Sequence, residues 1–355
     1  MDQGNTAFVL IAAALVLLMT PGLAFFYGGM VKAKSVVSMM MLSFGSLALI
    51  AVLWILYGYA IAFANAGSET FFGIDGWFGI DTSFLGLEAQ VAESADPQGA
   101  FPSLAFVAFQ ATFAIITVAL ISGAIADRAK FGAWMVFAGL WATLVYFPVA
   151  NWVFNFTLED GKVVDGGWIV YNLGAIDFAG GTAVHINAGA AGLALAIILG
   201  KRFGFSKGIT QPHNVPLTLL GVALLWFGWF GFNAGSEVAA DGLASVAFIN
   251  TIGAPAAAML GWIFVEKLKH GKATSIGAGS GAIAGLVAIT PACASLDPVW
   301  ALLLGLVAGI LCALAVDLKF SFGFDDSLDV VGIHLVGGIV GTLWIGIFGN
   351  GVGAA

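Results

Sequence analysis

The stretch 177-DFAGGTAVHINAG-189 puts a carboxylate, Asp177, and an imidazole, His185, eight residues apart inside a long apolar run. A second stretch, 325-DDSLDVVGIHLVGG-338, repeats the spacing with Asp326 and His334. Reading outward from the two, each lies in an almost uncharged segment of about 20 residues, the length of α-helix that crosses about 30 Å of hydrocarbon. Ten such segments run along the chain, at about 7–29, 36–64, 102–125, 131–154, 176–200, 214–235, 240–265, 274–293, 297–317 and 329–349. The two Asp-to-His stretches fall in the fifth and tenth of these, at equivalent places in two groups of five. Five is odd, so the second group must run inverted relative to the first. Inverted repeats place a substrate site near the membrane midplane, at the interface of the halves. At about 1.5 Å per residue, each His is expected roughly 12 Å along the helix from its Asp.

The predicted fold class is therefore an all-α polytopic membrane protein of ten transmembrane helices. It forms one transmembrane domain, 1–355, made of two inverted five-helix repeats, 7–200 and 214–349. Composition agrees: 60% of the 355 residues are hydrophobic and 9% charged, against about 25% charged in a soluble domain. A soluble protein with ten core helices would need polar outer helices to cover them, and the sequence has none. The N-terminal MDQGN carries no positive charge, so the first segment does not read as a signal peptide.

The loops orient the chain. Eleven of the 12 basic residues follow odd-numbered segments: Lys32, Lys34, Arg128, Lys130, Lys201, Arg202, Lys207, Lys267, Lys269, Lys272 and Lys319. Only Lys162 lies on the other side, beside Glu159, Asp160 and Asp165. The positive-inside rule then puts the N-terminus outside and the protein in the cell membrane as a multi-pass chain. The net charge of −8 sits mainly in the outer loops and hints at collection of cations there. The longest loop, 65–101, is acidic, and 155–175 reads as irregular or partly stranded. Cys293 and Cys312 make no metal spacing and read as small packing residues. The stretch 277-GAGSGAIAG-285 superficially resembles a nucleotide loop but lacks the preceding strand, and close helix packing explains it better. No metal site, cofactor or nucleic-acid partner is expected; the bilayer is the surrounding.

At the site itself, an intramembrane His has an ordinary explanation as a helix–helix hydrogen bond. The pairing shifts the balance, because His185 and His334 are the only His within the segments; His213 and His270 fall in loops. Two neutral imidazoles in contact share one proton, and burial with mutual repulsion opposes charging both. Such a pair suits a small solute that both donates and accepts. It suits Na⁺, K⁺ or Mg²⁺ poorly, since these take oxygen ligands. Asp177 and Asp326 read as helix N-caps that shape the site. Phe109 and Phe113 share a helix face, as do Phe232 and Ser236. A hydroxyl beside aromatic faces makes a cage for a small cation.

The stretches 21-PGLAFFYGGMV-31, 112-TFAIITVALISGAIADR-128, 177-DFAGGTAVHINAG-189, 225-LWFGWFGFNAGS-236 and 325-DDSLDVVGIHLVGG-338 together resemble the ammonium transporter family (the Amt/Mep/Rh group), in its prokaryotic Amt-type branch. The resemblance covers nearly the whole chain. It implies selective ammonium or ammonia transport, not enzymatic chemistry. By it, His185 and His334 line the pore, Phe113 and Phe232 close its outer mouth, and Ser236 contacts ammonium at an outer site that Asp177 supports. The family's outer tryptophan aligns with Phe154 of 146-YFPVANWVF-154, with Trp152 and Trp168 close by in sequence. The resemblance also implies a homotrimer with one pore per subunit, and a cytoplasmic PII-type regulatory protein for which the basic loop 201-KRFGFSKGITQPHN-214 is a docking candidate. Family members usually add a long eleventh helix and a cytoplasmic tail, whereas this sequence stops at Ala355, with its end expected outside. The alternatives are an ammonium sensor without transport, a neutral ammonia or carbon dioxide channel of the Rh type, and a redox enzyme holding haem between His185 and His334.

Overall fold

The computed structural model describes residues 1–64, 79–97, 99–159, 162–205 and 211–351. Most of the acidic 65–101 loop's first half, Asp160, Lys207 and part of the 201–214 loop lie outside the described residues. Among the described residues, ten helices are long and apolar enough to span a bilayer: α1 Gln3–Met30, α2 Ala33–Ala62, α3 Ser103–Ile125, α4 Phe131–Phe154, α5 Gly181–Ile198, α6 Val215–Glu237, α7 Gly242–His270, α8 Ser275–Ala292, α9 Pro298–Phe322 and α10 Val331–Phe348. Each expected span is present, with ends moved by a few residues. A two-stranded antiparallel hairpin, β1 Phe156–Glu159 and β2 Lys162–Gly166, follows α4. It accounts for the partly stranded character of that loop.

α1 lies along α6, the first helices of the two groups. α3 and α8, the third helices, are buried along most of their length. Large aliphatic residues such as Leu10, Val136, Leu140, Leu260, Leu268 and Ile347 are left exposed. Inside-out burial of this kind fits a chain solvated by lipid tails.

α5 and α10 cross each other at the centre, and glycine permits it. Gly189 follows His185 by four residues, and Gly338 follows His334 by four. A Cβ at Gly189 would lie 2.5 Å from the backbone nitrogen of Leu335, and one at Gly338 would lie 2.9 Å from the carbonyl oxygen of Gly181. Only a missing side chain lets the backbones approach this closely. The same approach brings the two imidazoles together one turn earlier.

Candidate functional site

Both histidines sit in a turn of π-helix, His185 in Gly181–Ile186 and His334 in Val331–Leu335. Such wide turns re-aim side chains and recur at functional sites. Each turn is set by the carboxylate that precedes it. Asp177 accepts four backbone N–H bonds, from Gly180 (2.9 Å), Gly181 (2.5 Å), Thr182 (2.7 Å) and Ala183 (3.0 Å). Asp326 accepts from Val330 (3.1 Å) and Val331 (2.7 Å). Both side chains thus satisfy the free donors of a helix start. The helices begin later than the sequence implies, however. Gly180 takes φ +109° and α5 starts at Gly181 rather than 176. The helical rise from cap to imidazole is accordingly shorter than the eight-residue span that gave about 12 Å.

The imidazoles are buried, and His185 Nδ1 lies 3.2 Å from His334 Nδ1. Two ring nitrogens at that distance share one proton, so one ring donates and the other accepts. The tautomers are then linked. Whichever ring uses Nδ1–H for the shared bond keeps an accepting Nε2, and its neighbour keeps an Nε2–H donor. The pair always offers one donor and one acceptor to anything alongside it. His185 Nε2 has no hydrogen-bond partner among the described residues.

Aromatic rings continue the line of the imidazoles. The rings of His185 and Phe232 are 5.9 Å apart and nearly parallel, and Phe232 stacks on Phe113 at 4.2 Å and 23°. Phe109 packs edge-on to Phe113 at 4.8 Å. Phe154 meets Phe113 edge-on at 6.2 Å, whereas Trp152 and Trp168 pair with each other at 5.8 Å. Of the three aromatic candidates, Phe154 is the one found against Phe113. The Ser236 hydroxyl donates to the Phe232 carbonyl oxygen at 2.8 Å. Its proton is committed there, so toward a cation the hydroxyl oxygen acts as acceptor. The two caps, the two imidazoles and the aromatic line therefore bring together α3, α5, α6 and α10, with Phe154 reaching in from the end of α4.

Sequence reasoning missed several members of this assembly. Trp229 stacks on His185 at 5.4 Å and is itself held by an indole N–H bond to Thr290 Oγ1 at 2.9 Å. The signal was its place three residues before Phe232, on the same helix face. At the end of the bundle away from the N-terminus, the Arg128 guanidinium donates to the carbonyl oxygens of Ala124, Gly200 and Asp325 and, at 3.1 Å, to the Ser327 hydroxyl. Arg202 clamps the Asp325 carboxylate with its backbone N–H at 2.6 Å and its guanidinium at 2.8 Å. Burial pushes the Asp325 carboxyl up, but the Arg202 bonds and the Arg128 charge outweigh it and hold the group below the ordinary carboxylate range. One guanidinium thereby ties the ends of α3 and α5 to the loop that starts α10.

Beside this brace, Lys319 Nζ donates to the Asp326 carbonyl oxygen at 3.1 Å and pairs with Asp329 Oδ1 at 2.5 Å. Burial first, and the nearby Asp329 charge second, push the Asp326 carboxyl up to about 6 against the pull of Lys319 and two N–H donors. The shift is upward from an unfolded value of about 4. The stabilisation tied to the protonated form is therefore complete below about pH 4 and lost as pH rises through about 6. The infrared difference between pH 5 and pH 7.5 is expected to contain a protonated-carboxyl component that Asp326→Asn removes. A difference unchanged by that substitution would assign the titration elsewhere.

The sequence model of the Ammonium Transporter Family matches residues 7–353. The chain belongs to that family. An ammonium transporter of Mycobacterium tuberculosis (strain ATCC 25618 / H37Rv) is 59% identical over 354 residues, which covers 98% of this chain and 74% of that protein. One of Bacillus subtilis (strain 168) is 48% identical, covering 98% of this chain and 81% of that one. Among solved structures, Saccharomyces cerevisiae Mep2 superposes with a TM-score of 0.85 at 37% identity, covering 98% of this chain and 74% of that one. Ammonium transporter family proteins are multi-pass membrane transporters and not enzymes, so the haem-enzyme alternative falls and ammonium transport is the supported activity.

Proposed function

We propose that this chain moves ammonium selectively across the cell membrane by binding the cation, removing its proton and conducting ammonia past the paired imidazoles. The observation that carries the reading is the stack from Phe113 through Phe232 and His185 to His334, closed by an Nδ1–Nδ1 contact of 3.2 Å. The end bearing the N-terminus is outside, as the asymmetry of basic residues requires. Residues 7–200 and 214–349 are the inverted halves, with α5 and α10 as their equivalent pore helices.

In this reading ammonium sheds its water at an outer site. Phe113 and Phe154 offer π faces there, and the Ser236 oxygen accepts a hydrogen bond. Phe154 keeps the aromatic face of the outer site without an indole N–H. Carrying the bare cation onward costs many kcal/mol in an apolar path. The proton leaves the nitrogen at the outer site, so that neutral ammonia enters the path; its return to outer water makes the chain an ammonia channel, and its separate passage inward makes it an electrogenic transporter. Ammonia crosses the Phe113/Phe232 gate and slides along His185 and His334, which replace with one donor and one acceptor the hydrogen bonds it had in water. K⁺ has no proton to release and is refused at the same gate. Asp177 and Asp326 hold the turns that carry the two rings. Three copies assemble as a homotrimer with one pore each, and a PII-type protein docks from the cytoplasm at 201–214.

The test is an ammonium pulse on proteoliposomes of this chain, with K⁺ and Na⁺ pulses as controls. The expected result is a saturable response to ammonium alone, as a current or as an internal pH shift. The current marks electrogenic transport, and the pH shift without current marks an ammonia channel. Silence in both from well-folded protein, or an equal response to K⁺, would sink the reading.

A further inference from the structure

Beyond transport, we propose that the end of the bundle away from the N-terminus holds a binding site for a phosphate-bearing anion of two or more negative charges. A cavity of about 1040 Å³ opens there between the ends of α1, α5, α7, α8 and α9. It is as large as the upper range of small-molecule sites, about 1,000 Å³, and far larger than a lone water or simple ion needs.

Charge decides what fits it. Most charged groups in its wall are already matched within the chain. Arg128 and Arg202 are engaged by Asp325, Lys319 by Asp329, and Asp317 by Lys269. The Glu266 carboxylate accepts the backbone N–H of Thr274 at 2.7 Å and its hydroxyl at 3.0 Å. Four wall lysines have no acidic partner among the described residues: Lys32, Lys34, Lys201 and Lys272. Asp127 is the one wall carboxylate likewise unmatched there. The four lysines, and the one guanidinium charge left over where Arg128 and Arg202 share Asp325, stand against Asp127 and Glu266; about three positive charges remain around one concavity, and a low-dielectric wall focuses their field. A compact ligand with several anionic oxygens, such as an organic phosphate, answers several ammonium groups at once.

The wall is also amphipathic. Trp262 and Phe205 contribute to it, and Lys201 Nζ lies 5.6 Å from the Phe205 ring centroid. An organic phosphate brings both the charge and an apolar body for such a surface; inorganic phosphate brings only the charge. Lys201 further reaches the loop before α10, since a Cβ on Gly323 would sit 3.1 Å from its Nζ. Its neighbour Arg202 grips Asp325 in that same loop. A ligand held by Lys201 would therefore touch the segment that sets the His334 turn.

Soluble nucleotides and anionic lipid headgroups share this chemistry, and two arms separate them. In the first, the full chain in uncharged phosphatidylcholine nanodiscs is titrated calorimetrically with adenosine triphosphate and with inorganic triphosphate at 0.15 M salt. In the second, phosphatidylglycerol retained through purification is quantified. Each arm compares the unaltered chain with Lys32→Gln/Lys34→Gln/Lys272→Gln and with the matching lysine-to-arginine triple. The three lysines are exposed, so equal unfolding temperatures are expected throughout. Saturable binding in either arm, weakened about tenfold or more by glutamine and kept by arginine, supports the site and identifies its source. Absence of saturable binding in both arms, or binding equal in the unaltered and glutamine chains, overturns it. The readout is binding, so it stands or falls apart from the transport assay.

Discussion

Replacing His185 with alanine is expected to cut the preference for ammonium over K⁺ by about tenfold or more, measured as the ratio of responses in the same proteoliposomes. The ring is fully enclosed, stacked between Trp229, Phe232 and His334. Truncation leaves a void roughly the size of an imidazole, and one wall of that void, His334 Nδ1, is now an unmatched polar atom. A void with polar lining takes up water, whereas an apolar one stays dry. Water in the path lowers the cost of a charged passenger, which in the intact protein is set by desolvation. K⁺ then gains a partly hydrated route that it lacks beside the intact pair. On the proposed path, ammonia meanwhile loses one of the two groups that would replace its hydrogen bonds, so its own flux is expected to drop. Both changes act in the same direction on the ratio. Ammonium uptake and K⁺ exclusion that both survive His185→Ala would refute the role given to the paired imidazoles.

How much of this was readable beforehand depended on the kind of interaction. Ten spans were legible because hydrocarbon imposes one length and one composition on every crossing helix. The pairing of His185 with His334 was legible because the spacing from Asp177 and Asp326 repeats, and repetition at matching positions implies a shared interface. The start of α5 was not. Hydropathy runs smoothly through 176–181, yet the Asp177 carboxylate gathers four N–H groups and Gly180 turns left-handed, so the helix begins at Gly181. No periodicity signal records where a side chain outcompetes the backbone for donors. The alignment with Phe154 rested on the resemblance alone; the ring contacts add that Phe154 meets Phe113 whereas Trp152 and Trp168 pair with each other, a difference of direction that closeness in sequence does not record. The Arg128 brace was hidden for a related reason. Its acceptors belong to residues 124, 200, 325 and 327, and three are backbone carbonyls, which look alike in every sequence.

The second large effect is expected at Asp177, through the fold of one turn and not through contact with the solute. Asp177→Ala removes the acceptor of four backbone N–H groups at once. An unsatisfied buried donor costs about 1–3 kcal/mol. Asp177 is half-buried, so water recovers part of that cost, and a net loss of roughly 2–5 kcal/mol is expected against the 0.5–2 kcal/mol of an ordinary exposed cap. Asp177→Asn keeps one accepting oxygen and should fall between the two. The damage is directional. The N–H groups of Val184 and His185 both bond to the Gly180 carbonyl oxygen, at 3.0 Å and 3.1 Å, so the turn released by the missing carboxylate is the one that aims the His185 ring. Unfolding temperature in detergent should therefore be lowest for Ala, higher for Asn and highest for the unaltered chain. Ammonium response should rank the same way, and K⁺ exclusion should weaken as it does for His185→Ala. A chain with Asp177→Ala that keeps its unfolding temperature but loses transport would instead place the carboxylate in direct contact with the solute. One that keeps both would leave the four short N–H bonds without consequence, and the link from cap to imidazole would fail.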